Sequence, residues 1–190
     1  MKNIFMVLVC LVVSFSFSAQ ASREKDSHEH GAANVMLAME GEKLQLNFEV
    51  PSESLIGFEH FPKSQDQRWY FNEAIKTLLE PSKLFSIPAD AECLLVGINV
   101  SQSLFAAKDE HGHDEKDEHG HDESDKSELH SEFSSKYHWN CEHLDEIDSI
   151  GTQLMNIFPR IEEIRVRWIT KNNQGSIELE SKDDRIKGWK

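Results

Sequence analysis

From Lys108 to Glu128 the chain carries no apolar residue. Such a stretch cannot contribute to a core, because it buries nothing to offset the entropy lost when a chain is ordered. Whatever folds must therefore be built from the segments on either side of it. The stretch also has an internal order. An eight-residue unit occurs twice, as DEHGHDEK at Asp109–Lys116 and as DEHGHDES at Asp117–Ser124. Each copy holds two histidines one residue apart and four carboxylates. Neutral imidazole and carboxylate are both zinc ligands, and a His-Gly-His spacing lets two rings turn toward one ion. The plain alternative is a solvated acidic linker, but solubility needs no histidine. His111, His113, His119 and His121 are therefore read as weak, exchangeable metal ligands on a long disordered loop over about residues 107–131.

The amino terminus reads as a secretory signal over residues 1–21. Lys2 supplies the positive start, Ile4 to Val13 an apolar run, and Ala19-Gln20-Ala21 a small-x-small cleavage site. The apolar run is too short for a comfortable membrane span, and no later stretch is long enough. Residues 22–190 are then expected to form a single exported domain, in the periplasm if the source is bacterial, with no membrane insertion after cleavage. Removing the leader removes one lysine and no acid, which takes the formal net charge from −14 to −15. That charge argues against nucleic acid and anionic membranes as partners and suits the attraction of cations. About eight of the negative charges sit in Asp109–Glu128, as ten acids less Lys116 and Lys126.

Outside the insert the apolar pattern is informative. Asn34–Glu40 and Lys43–Val50 both alternate, with Gly41-Glu42 between them, and read as a half-buried β-hairpin closed off by Pro51. Gln67–Leu79 has helical spacing and is stopped by Pro81. Glu92–Val100 and Glu132–Cys141 read as strands on either side of the insert. Cys93 and Cys141 are the cysteines left after the leader, and an even pair in an oxidising compartment reads as one disulfide. If the two strands pair antiparallel, Cys93 at the start of one faces Cys141 at the end of the other. The bridge would fix the base of a hairpin whose tip is the insert. Leu144–Phe158 has an apolar stripe at helical spacing, with a break expected at Gly151 and a stop at Pro159. Ile161–Thr170 and Ser176–Glu180 flank a turn signal at Asn172–Gly175. The expected fold is α+β, a mostly antiparallel sheet with two or three helices.

No catalytic motif is present: no nucleophile elbow, phosphate loop, metalloprotease helix or dinucleotide fingerprint. The expectation is a binding protein and not an enzyme. Its ten histidines point to metal. An ordered site needs three or four ligands from rigid elements. His28 and His30 share one face if extended, because the strand period is two. His60 follows Glu59 just after the first hairpin, and His130 lies at the return from the insert. His28, His30, His60 and His130 are the candidate ligands, with Glu59 as an outer or alternate one. His138 and His143 read as surface or structural positions.

The segments HEHGAANVMLAMEGEKLQLNFEVPSESLIGFEHFP and HSEFSSKYHWNC, with a His- and acid-rich insert between them and a late Phe-Pro, resemble the ZrgA family. The likeness covers nearly the whole exported chain and falls on His28, His30, Glu59, His60, His130, Cys93 and Cys141. It implies a periplasmic accessory protein of zinc uptake, with Zn2+ as its ion and a zinc ABC importer or that importer's binding protein as its partner. It also implies that the insert adds capacity beside an ordered site. The ligand assignment rests on spacing and not on the resemblance. Nickel, copper and cobalt suit the same donors. The rival reading is a structural or partner-binding periplasmic domain with incidental metal affinity, which would show no thermal shift with zinc.

Overall fold

The computed structural model describes residues 29–104 and 131–190. The expected leader over 1–21, and all of the expected insert except Ser131, lie outside the described residues. Two alternating runs make the central hairpin, β1 (Ala32–Glu40) and β2 (Lys43–Pro51), joined through Gly41 at φ 61°. Only a residue without a Cβ adopts that backbone freely, so the turn falls at the glycine. Val35, Leu37 and Met39 lie opposite Phe48, Leu46 and Leu44. All six are buried, as cross-strand pairs on one face should be when that face is the core.

On the other side of β2 lies β5 (Glu132–Cys141), antiparallel, placing Tyr137 opposite Leu46 and Phe133 opposite Val50. Beyond it, β4 (Cys93–Gln102) forms one edge of the sheet. Cys93 is paired with Cys141 in the ladder, and the two form a disulfide with Cα atoms 3.9 Å apart. The bridge at the hairpin base is thus as the strand argument expects. Past β1 come β7 (Glu163–Thr170) and β8 (Gln174–Leu179), giving the order β4-β5-β2-β1-β7-β8. The β1–β7 pair is parallel and every other pair in this sheet is antiparallel. The α+β class and the mostly antiparallel sheet are therefore as expected, with one parallel pair that the local pattern does not announce.

Four α-helical segments are described: α1 (Ser52–Ile56), α2 (Gln65–Leu78), α3 (Pro81–Leu84) and α4 (Leu154–Ile157). Only α2 runs beyond five residues. It opens on a capping box in which the Ser64 side chain accepts from the Gln67 backbone N–H, while the Gln67 side chain accepts from the Ser64 N–H. Its Ala74 and Leu78 are buried, and the Tyr137 hydroxyl donates to the Leu78 carbonyl at 2.7 Å.

The expected helix over Leu144–Phe158 is corrected. The segment is a 3-10 turn (Leu144–Glu146), then β6 (Ser149–Thr152), then α4. Strand β6 lies between β3 (Phe85–Ser86) and β9 (Arg185–Lys187) in a second, three-stranded sheet. Ile147, Ile150 and Leu154 are all buried, so the apolar stripe is real, but three different local conformations deliver it to the core. Gly151 lets the small sheet close, because a Cβ there would fall 2.3 Å from Ser86 Oγ.

Candidate metal centre

Three pieces of chain that are distant in sequence meet at the end of the large sheet where β2 finishes and β5 begins. The first is Glu29–Gly31, just ahead of β1. Gly31 at φ 87° donates its N–H to Ser54 Oγ at 2.9 Å, and its carbonyl accepts from Glu162 and Glu163. The second is α1 and the turn after it. Gly57 caps α1 at φ 85° with its N–H on the Glu53 carbonyl, and a Cβ there would lie 2.9 Å from the Arg160 guanidinium. This reversal sets Glu53 on one side of the turn and Glu59 on the other. The third is Ser131, whose carbonyl accepts from Ser52 N–H at 2.8 Å and whose hydroxyl donates to the Glu59 carbonyl at 3.1 Å.

His30 stands between the two carboxylates. Its Nε2 lies 3.6 Å from Glu59 Oε1 and its Nδ1 lies 3.9 Å from Glu53 Oε2. Zinc bonds of roughly 2.0–2.2 Å at a tetrahedral angle place two ligand atoms about 3.4 Å apart. The Nε2–Glu59 gap is thus close to what one shared ion requires. One ion cannot bind both nitrogens of a ring, so Glu53 faces the position from which an outer carboxylate fixes the tautomer of a ligating histidine. The Glu59 side chain is 20% exposed and that of His30 is 56% exposed, so the pair is set into the rim of the fold with one open side.

His60 is one residue beyond Glu59. Its ring stacks on buried Phe58 with centroids 5.3 Å apart, and its Nδ1 lies 2.9 Å from the Phe61 carbonyl. A carbonyl only accepts, so Nδ1 carries the proton and Nε2 keeps its lone pair in the neutral ring. Such an arrangement primes a histidine for metal. Beside the site, Arg165 holds Glu29 and Glu163, with N–O contacts of 2.5 Å to each carboxylate. The hydrogen bond that Arg165 donates to Glu29 leads in pushing the guanidinium pKa further up, with the one to Glu163 next.

Of the candidates read from the sequence, His30 and Glu59 are brought together directly, and His60 sits on the same turn. His28, His130 and the insert histidines His111, His113, His119 and His121 lie outside the described residues. The immediate chain neighbours of His28 and His130, Glu29 and Ser131, are both held at this spot. Glu53 was not foreseen, since nothing in SESLI marks its glutamate as close to a histidine 23 residues earlier. The signal available was the Gly57 that follows, which forces the chain to turn back. A cavity of about 680 Å³ lies elsewhere, between the end of α2 and β4, and no histidine lines it.

No described helix is long and apolar enough to cross a membrane. The family model for ZrgA, described as "ZrgA family zinc uptake protein", matches residues 27–188. None of the curated proteins matches the chain.

Proposed function

This chain belongs to the ZrgA family of zinc uptake proteins, and on that premise we propose that it is a periplasmic protein that captures or buffers Zn2+ for a high-affinity import system. The observation that carries the reading is the placement of His30, with Nε2 3.6 Å from Glu59 and Nδ1 3.9 Å from Glu53. In the proposed site His30 Nε2 and Glu59 ligate the ion, and Glu53 orients the ring from the far side. His60 offers Nε2 as a third donor. His28 and His130, each next in sequence to a residue held at the site, are the candidates for a fourth donor. Zinc is cargo here, so a site open on one side is an advantage: the ion must leave as well as bind. The His- and acid-rich insert adds weak capacity beside it, and its negative charge raises the local cation concentration. The partner of this reading is a zinc ABC importer or its binding protein. The role is one of binding and transfer and includes no catalysis.

The test is zinc calorimetry on the mature chain. Deleting Asp109–Glu128 should lower the number of ions bound and leave one tight site. Combining His30→Ala with Glu59→Gln should remove that tight site and leave the weak ones. If the double variant keeps the tight isotherm of the parent, the ordered site is elsewhere. If the parent binds no zinc and its melting temperature does not move with zinc, the chain is a structural or partner-binding domain.

A further inference from the structure

At the opposite end of the β4–β5 pair three ligating side chains converge without belonging to the site above. We infer that Glu92, Glu142 and His143 form a second, separate site for a divalent cation of the zinc class, held in shape by the Cys93–Cys141 disulfide.

One ligand atom from each of the three residues lies within 4.8 Å of the other two, and all three side chains are exposed. Among the described residues no other three His, Cys, Asp or Glu side chains meet so closely. The imidazole separates this set from an acidic surface cluster, because imidazole and carboxylate are both zinc donors and three protein donors leave the fourth tetrahedral position to water. The arrangement is covalently enforced. Glu92 immediately precedes Cys93 and Glu142 immediately follows Cys141, so the bridge that brings those two Cα atoms to 3.9 Å also brings the flanking glutamates together. The backbone continues the clamp below it: Glu142 N–H donates to the Glu92 carbonyl at 3.4 Å and His143 N–H donates to the Ala91 carbonyl at 3.1 Å.

Glu92 is also the one non-glycine residue with positive φ among the described residues, at 47°. That conformation costs energy in an L-residue with a Cβ, and here it ends the 3-10 turn Ala89–Ala91 and turns the chain into β4. Two carboxylates held side by side repel one another, and a divalent cation between them removes that repulsion. Exposed side chains close the remaining ångström or so to tetrahedral spacing by rotating. The site is distinct from the His30–Glu59 centre because β5 separates them: ten residues run from Glu132 to Cys141, roughly 30 Å of strand.

The experiment is a residue-resolved NMR titration of the disulfide-intact mature chain with zinc chloride, alongside Glu92→Gln and His143→Ala. Exposed positions such as these should leave the fold intact, which the unchanged spectrum of β1 and β2 checks. Zinc should shift the amides of Glu92, Glu142 and His143 as one set, with a midpoint different from that of Glu29–His60. Each variant should abolish that set, lower the zinc stoichiometry by one, and leave the Glu29–His60 shifts in place. Replacing both cysteines (Cys93→Ala with Cys141→Ala), which removes the bridge without adding thiol donors, should weaken the set by tenfold or more. The inference fails if saturating zinc leaves these three amides unmoved, or if His143→Ala binds as many ions as the parent.

Discussion

Reducing the Cys93–Cys141 bridge should cost the domain a stability that can be worked out beforehand. The two cysteines are 48 residues apart in sequence. In the chain-entropy picture, a cross-link that closes a loop of that length removes conformational freedom from the unfolded state worth about 4 kcal/mol at 25 °C. For a domain of this size each kcal/mol lowers Tm by about 2–4 °C, so reduction should lower it by roughly 8–16 °C. The ladder beyond the bridge carries its own register, since β4 and β5 are paired from Leu94 to Gln102 with one irregularity between Leu95 and Gly97. The folded state should therefore keep its circular dichroism and lose only its margin. Thermal melts of the oxidised protein, the reduced protein and the Cys93→Ala/Cys141→Ala pair make the comparison; alanine avoids placing a hydroxyl at Cys141, which is buried.

The insert supplies an internal control. Deleting Asp109–Glu128 removes twenty residues and shortens the closed loop from 48 to 28. The dependence on loop length is logarithmic, so the worth of the disulfide should fall by only about 0.5 kcal/mol. A reduced protein that melts within about 2 °C of the oxidised one would refute the reasoning. So would a deletion that halves the effect of the bridge.

Four further outcomes follow from single residues. Tyr137→Phe removes the hydrogen bond to the Leu78 carbonyl at the end of α2 and should cost about 1–3 kcal/mol in urea denaturation, since the carbonyl stays buried without its donor. In the parent, burial pushes the Tyr137 phenol up to about 12. The unfolded chain releases that proton near pH 10, so this contribution to stability is complete below pH 10 and is lost as pH rises through about 12; a constant Tm across that window would contradict it. Gly175→Ala places a Cβ 2.4 Å from the Trp168 ring and should cost about 1–3 kcal/mol with a change in tryptophan fluorescence. Glu53→Gln should weaken the tight zinc site by about 10–100-fold in calorimetry while leaving the number of ions unchanged, as expected when an outer partner of His30 is weakened and no direct ligand is lost.

Much of the sheet could be read before any coordinates, and the reasons are local. Alternation in 34–50 names both strands of the central hairpin, and Gly41 names its turn. Cys93 and Cys141, at the outer ends of two strands flanking an insert that has no apolar residue from Lys108 to Glu128, name their own pairing. The stripe over 144–158 misleads because spacings of three and four residues also arise when the residue after a turn, a short strand and a short helix each place an apolar side chain in the core. Ile147, Ile150 and Leu154 satisfy the core equally well either way. Nothing inside 163–170 says that it will lie parallel to β1, since a strand's own pattern reports which face is buried and not which neighbour it takes.

By itself, the order of residues determined what must be buried, what cannot be, and that the chain's chemistry is that of imidazole and carboxylate. Only the tertiary structure decided which of those groups meet. His30 finds Glu53 and Glu59 because glycines at 31 and 57 turn two separated segments onto each other, and Glu92 finds Glu142 and His143 because a sulfur bridge draws two strand ends together. The physical reason is that burial is a property of each residue's pattern with its near neighbours, whereas ligation needs atoms brought within a few ångströms across long reaches of chain, and only the closed backbone sets those distances.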